Sequence, residues 1–251
     1  MSVTPHDPDP MILTVERFSI LVEGTAVVGV LHLPSAGPAP CVVACHGLGA
    51  SKESDKYLLL GREFPEAGLA LARFDFRGSG ESGGLYRDAT IASRIADLDV
   101  VLDHLAAHPS LDGRFGLLGS SLGGFVALWV ASRRRRVMPV VTWNAPASLA
   151  ALANSRCDDV TSPGAALIAE VRAGRHVEAP AGASRLLVIQ GGADNVVPPE
   201  HGRSLVERAA EPRELCVLPG ADHRLSDPLH RIEAVKRSRD WFTRHLQMES
   251  A

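Results

Sequence analysis

Short apolar runs alternate with stretches of mixed polarity along most of the chain. The runs at residues 41–45, 115–118, 137–143 and 186–190 have strand length and are bounded by glycine, proline or polar residues. Such continuous runs fit strands buried on both faces of a parallel sheet. From Thr90 onward, Ile91, Ile95, Leu98, Leu102 and Leu105 recur at helical spacing, which predicts a long helix with one buried face. Residues 18–22 and 27–33, joined by Glu23-Gly24-Thr25, predict an antiparallel hairpin at a sheet edge. Alternating strands and helices place the chain in the α/β class, with a mostly parallel sheet covered on both faces.

The pattern also divides the chain. Residues 1–10 are polar and proline-rich, and a mobile tail and entry is expected over 1–16. The α/β core is expected over 17–146 and 184–246. Between them, 147–183 is the least regular stretch, rich in alanine and broken by Pro163-Gly164, Gly174 and Pro180. Short helices are expected in it at 149–152 and 165–171, and the segment reads as a small cap over a pocket. The length of 251 residues suits one α/β domain of this kind.

The candidate chemistry lies where predicted strands end. Gly119-Ser120-Ser121-Leu122-Gly123 separates the run Phe115-Gly116-Leu117-Leu118 from a helical-looking segment that begins at Phe125. This is G-x-S-x-G between strand and helix, the setting of a nucleophile elbow that pushes the Ser121 hydroxyl into the open. The amide of Leu122 opens the helix without an intrahelical partner and is expected to face an oxyanion. His46-Gly47-Leu48-Gly49 follows another buried run, and the amide of Leu48 is the candidate second oxyanion donor. His46 is expected to brace that loop and not to act as a base. Two later strands end in Gly191-Gly192-Ala193-Asp194 and in Leu218-Pro219-Gly220-Ala221-Asp222-His223. Carboxyl ends of parallel strands are where α/β sheets gather ligands. Ser121, Asp194 and His223 therefore form the candidate triad, with Asp222 too near in sequence to orient its neighbour's ring.

Those motifs, in this order and context, resemble the serine-type α/β-hydrolases from about residue 18 to residue 246. Arg73-Phe74-Asp75-Phe76-Arg77-Gly78-Ser79-Gly80-Glu81-Ser82 is similar to their D-x-R-G-x-G-x-S turn, whose implied role is structural. The resemblance implies an α/β-hydrolase fold, with a mostly parallel eight-stranded sheet, helices on both faces and a small cap insertion. His46-Gly47-Leu48-Gly49 and Asn144-Ala145-Pro146-Ala147 resemble small esterases that act on cinnamoyl and feruloyl esters. Relatives of serine aminopeptidases and monoacylglycerol lipases are nearly as similar. In the hydroxycinnamoyl enzymes the cap supplies a tyrosine, whereas 147–183 holds no Tyr, Trp or Phe, and the chain's tyrosines are Tyr57 and Tyr86. Asn154, Asp158 and Asp159 are the polar groups this cap offers. Hydrolysis of esters with small to medium acyl groups is the implied activity. A peptidase or a thioesterase on the same triad, and a non-catalytic binding protein of the same fold, are the alternatives.

Charge and composition narrow the partners. A net charge of −3 argues against general nucleic-acid binding, and Arg133-Arg134-Arg135-Arg136 sits where a helix is expected to end, complementing its dipole. No apolar stretch is long enough to cross a bilayer, and no basic start followed by an apolar segment marks a secretory leader, so a cytoplasmic location is expected. Cys41 and Cys45 share one strand, about 13 Å apart, beyond the roughly 7 Å a disulfide spans. With Cys157 and Cys216 they are expected to be reduced. His104 and His108 have the i, i+4 spacing of a zinc pair, but no acid follows His104 and Pro109 closes the segment, so no metal or cofactor is expected. The expected partner is a small-molecule ester, with a homodimer possible.

Overall fold

The computed structural model describes residues 14–154 and 164–247. One eight-stranded sheet carries the fold: β1 (Thr14–Val22), β2 (Thr25–Leu33), β3 (Ala39–Cys45), β4 (Ala70–Phe74), β5 (Leu111–Ser120), β6 (Val140–Trp143), β7 (Leu186–Gly191) and β8 (Arg213–Leu218), in the order β1-β2-β4-β3-β5-β6-β7-β8. The β1–β2 and β2–β4 pairs are antiparallel and every later pair is parallel. This is the expected α/β-hydrolase architecture. β1 pairs with β2 from Thr14, opposite Leu33, so residues 14–16 belong to the sheet and not to the tail. β6 is shorter than the apolar run that predicted it. Pro139 cannot donate to a ladder, Val137 is exposed, and regular pairing begins at Val140.

Alternation along the strands feeds two cores. Cys41, Val43, Cys45, Leu117, Val140 and Val188 face α2 (Ile91–Ala106), α3 (Leu122–Arg133) and α5 (Pro199–Glu207). Val42, Ala44, Leu118, Val141, Trp143, Leu187 and Ile189 face α1 (Asp55–Glu66) and α6 (Pro228–Phe242). Period-two strands thus serve both layers with alternate residues, and each layer excludes water from one side of the sheet. α2 starts at a capping box between Thr90 and Ser93. The arginine block does follow α3. Arg134, just past its end, pairs with Asp99 and Asp103 of α2. His108 lies beyond α2 and meets Glu16 at 3.0 Å, so it shares no helix face with His104.

Between β6 and β7 the chain leaves the sheet. Ser148 bridges to Glu178, Leu149 N donates to Val177 O, and Ala179 N donates to Ala147 O, closing the base of the excursion. A 3₁₀ turn (Ala150–Asn154) and α4 (Ala165–Arg172) match the two expected helical pieces within a residue or two. Glu170 of α4 accepts from the Ile91 and Ala92 amides at 2.6 and 3.2 Å, tying the excursion to the amino end of α2. Asp158 and Asp159 lie outside the described residues, as does Cys157.

The turn after β4 is built around a buried carboxylate. Asp75 Oδ1 accepts from Lys52 N at 2.7 Å, and Oδ2 accepts from Lys52 Nζ and Glu81 N at 3.0 Å each. A Cβ at Gly80 would overlap this carboxylate, so the glycine belongs to the same device. The side chains of Asp75 and Lys52 are both 0 % exposed. Asp75→Ala is expected to cost about 3–5 kcal/mol, because it leaves Lys52 and two amides short of a buried acceptor. Urea unfolding measures this, and a loss under about 1 kcal/mol would mean that Glu53 and Glu81 hold Lys52 without it.

Candidate active site

Ser121 lies between β5 and α3 with φ 54° and ψ −127°, a positive φ on a residue with a side chain. That backbone is held from outside: Ser121 N donates to Trp143 O at 2.8 Å, and Gly124 N donates back to Ser121 O at 2.9 Å. The flanking glycines are required by space. A Cβ at Gly123 would stand 2.6 Å from the carbonyl carbon of Cys45 and 2.7 Å from His46 O. One at Gly119 would overlap the backbone of Gly123 and Gly124. Sheet and helix therefore meet with no room for a methyl group, and the turn between them throws the serine side chain outward.

The three predicted residues converge. Ser121 Oγ lies 3.1 Å from His223 Nε2, and His223 Nδ1 lies 2.8 Å from Asp194 Oδ2. Asp194 is 3 % exposed, and its Oδ1 accepts from the Val196 and Val197 amides at 2.9 and 2.8 Å. One oxygen thus shapes the turn after β7 while the other meets the imidazole. The carboxylate draws the ring proton to Nδ1 and leaves Nε2 to accept from the serine hydroxyl. Asp222 turns away: its Oδ1 accepts from Ser226 N at 2.7 Å, which with the Ser226 hydroxyl holds its carboxyl below the usual range.

The loop after β3 runs beside the serine. A Cβ on Gly47 would lie 3.1 Å from Ser121 Cβ and 3.6 Å from Oγ. Leu48 follows on that loop and Leu122 N opens α3. Backbone hydrogen bonds to Ser121 O begin only at Gly124, so the Leu122 amide precedes the first helical acceptor. His46 is 1 % exposed and braces this loop. Its Nε2 accepts from Phe76 N at 3.1 Å, so Nδ1 carries the proton and donates to Gly47 O at 2.8 Å. Burial first, and then the nearby Arg94 guanidinium, push its pKa down to about 4. A neutral imidazole with both nitrogens engaged has no proton to exchange with a substrate.

The role of Asn144 is not legible in its residue type alone. It follows β6 at φ 51°, accepts from Gly191 N through Oδ1 at 2.6 Å, and donates through Nδ2 to Asp222 O and His223 O at 3.2 and 2.9 Å. One amide side chain thus clamps the strand that carries Asp194 to the loop that carries His223. The signal available was a lone Asn directly after a buried strand, ahead of Ala145-Pro146.

A profile of the prolyl oligopeptidase family matches residues 62–249. The uncharacterized protein YfhR of Escherichia coli (strain K12) is 30% identical over 224 residues, covering 87% of this chain and 76% of that protein. The bovine palmitoyl-protein thioesterase ABHD10 is 29% identical over 106 residues, 42% of this chain and 33% of that protein. Among solved structures, Est1E of Butyrivibrio proteoclasticus with ferulic acid bound superposes with a TM-score of 0.79 at 18% identity, covering 92% of this chain and 100% of that one. The chain belongs to the prolyl oligopeptidase family, within the serine α/β-hydrolase superfamily. It is a hydrolase. Among the described residues, no helix is long and apolar enough to cross a membrane.

Proposed function

We propose that this hydrolase cleaves carboxylic esters of small to medium acyl groups through a Ser121–His223–Asp194 triad and an acyl-enzyme. The observation that carries the reading is the unbroken line from the Asp194 carboxylate through His223 to Ser121 Oγ, at 2.8 and 3.1 Å. In this reading His223 Nε2 takes the serine proton as Oγ attacks the acyl carbonyl, and Asp194 stabilises the imidazolium. The amides of Leu48 and Leu122 receive the oxyanion, each donor contributing about 3–4 kcal/mol to the barrier lowering. His223 then returns the proton to the leaving alcohol, and water attacks the acyl-enzyme by the same route. Leu48 and Val196, neighbours of the site in the chain, expose their side chains at 42% and 70%. Such an apolar rim suits an acyl chain better than a charged peptide end. The excursion 147–183 is read as a cap over this rim.

The test is a matched substrate panel: p-nitrophenyl esters of increasing acyl length, an acyl-CoA series and aminoacyl-p-nitroanilides, alongside fluorophosphonate labelling with the modified peptide located by mass. Labelling of Ser121 with the highest kcat/KM on short to medium esters supports the proposal. Preference for the anilides or the acyl-CoA series would replace it with the peptidase or thioesterase reading. Absence of labelling in folded protein would turn it toward a binding protein.

A further inference from the structure

The serine before the nucleophile is also occupied. Ser120, 2 % exposed, lies at the end of β5, and its Oγ accepts from Lys56 Nζ of α1 at 2.7 Å. The next residue of α1, Tyr57, donates its Oη to Cys45 O, the carbonyl that ends β3, at 3.1 Å. An ammonium can only donate, so Lys56 Nζ is the donor to Ser120. Two adjacent residues of α1 thus hold the ends of β5 and β3. Ser120 is bonded directly to the residue that bears the nucleophile and precedes the Leu122 amide. Cys45 is three residues ahead of Leu48. The hydrogen bonds thus link the two segments that offer the oxyanion donors, from the face of the sheet opposite α3.

We propose that Lys56, acting through Ser120 and alongside Tyr57 on the same helix, is a positioning residue that holds the nucleophile elbow and the oxyanion loop at their working separation. The proposal rests on the reading of Ser121 as nucleophile and adds to it a dependence on one remote cation. Preorganised donors lose most of their value when displaced by about 1 Å, which can cost on the order of a hundredfold in rate.

The ammonium also gives the device a pH limit. Burial, and then the positive charges of Arg231 and Arg224, lower the Lys56 pKa to about 8, with Asp222 opposing. The other groups around it come from several elements. Cys45, at the end of β3, is pushed up by burial, and His46, on the loop after it, is held neutral above about pH 4. On α1, Tyr57 is pushed up by burial, while Asp55 pairs with Arg231 of α6 at 3.2 Å. From the loop after β8, Asp222 is held below the usual carboxylate range and Arg224 is a guanidinium cation. Of the side chains in these hydrogen bonds, Lys56 is the one poised to change charge on the alkaline side. Once neutral, its amine can accept from Ser120 as well as donate to it, and the hydroxyl no longer has a fixed orientation.

Full-length wild type, Lys56→Met, Lys56→Arg and Ser120→Ala are compared in kcat and KM against pH, and in the rate of fluorophosphonate labelling at Ser121. Lys56→Met and Ser120→Ala are expected to lower kcat about ten- to a hundredfold, with KM within about twofold and labelling slowed in proportion. Wild-type kcat is expected to decline above about pH 8, and Lys56→Arg, whose charge persists, to carry that limb to higher pH. The two single variants share one pathway, so their double variant is no slower than either alone. Unchanged kcat with an unchanged alkaline limb in folded Lys56→Met or Ser120→Ala would overturn the proposal. So would a rise in KM at constant kcat, which would make Lys56 a substrate contact. Failure of wild type to label at Ser121 would strike the triad reading instead, and mass location of the probe separates the two.

Discussion

Ser121→Ala is expected to lower kcat by roughly 10⁴- to 10⁶-fold on the best ester, while shifting the unfolding free energy by no more than about 0.5 kcal/mol. The two halves of that expectation have separate causes. In the proposed mechanism the oxygen that is lost carries the bond-forming step, and the adjacent Ser120 Oγ does not replace it, being held by Lys56 on the other side of the strand. The fold, by contrast, depends on the backbone of residue 121, through Ser121 N to Trp143 O and Gly124 N to Ser121 O, and alanine keeps both. Alanine also keeps the Cβ that gives the positive φ its strain, so no relief is gained. Asp194→Asn is expected to lose about 10⁴-fold, because an amide at the 2.8 Å contact favours the wrong ring tautomer. Combining Ser121→Ala with His223→Ala is expected to cost little more than Ser121→Ala alone, since the groups act as a unit. Progress curves on a p-nitrophenyl ester and urea unfolding of each variant supply the numbers. Retention of more than about a tenth of the wild-type rate in Ser121→Ala would remove the serine from the mechanism.

What could be read from the chain alone was whatever the chain settles locally. A strand, two glycines around a serine and a helix start fall within fifteen residues, and their steric demands follow from backbone geometry. The same holds for α2, whose apolar positions from Ile91 to Leu105 recur on one face. His46 was legible as a brace because its loop had to be held and both its ring nitrogens could serve. Other features depend on which strands become neighbours. Asn144 clamps β7 to the loop after β8, across 47 and 79 residues of sequence, and no local pattern announces a partner that far away. Lys56 reaches Ser120 across 64 residues only because α1 returns over the end of β5. The start of β6 at Val140 is hidden in the sequence for a related reason. Val137 and Met138 look like strand by composition, but the ladder begins where β5 and β7 both lie alongside, with Val140 N donating to Arg185 O. The polar character of residues 14–16 reads as tail and hides a strand that gains its order from pairing with β2.

Gly123→Ala should show how far the site depends on the closeness of its two walls. The new Cβ would overlap Cys45 O and stand 2.6 Å from the carbonyl carbon of Cys45 and 2.7 Å from His46 O. Every one of these is a backbone atom, so no flexible side chain can swing aside, and β3 and the start of α3 must separate. Overpacking of this kind costs about 1–3 kcal/mol, occasionally more. The larger effect is on catalysis. The strand end that must move leads into Leu48, and the helix start that must move carries Leu122, so the two amides proposed to hold the oxyanion are expected to part. Losing one such donor costs about 10²- to 10³-fold in kcat. Gly123→Ala is therefore expected to fold, with a lowered midpoint in urea, to keep KM within a few-fold, and to lose at least about a hundredfold in kcat. The contrast with Asp75→Ala is diagnostic. That variant weakens the fold by removing a buried acceptor whose side-chain hydrogen bonds go to Lys52 and Glu81 and not to the triad, and is expected to retain most of its kcat wherever it remains folded. If Gly123→Ala instead lost stability but kept its kcat, the strain would have been absorbed elsewhere, and the oxyanion would be held by donors other than Leu48 and Leu122.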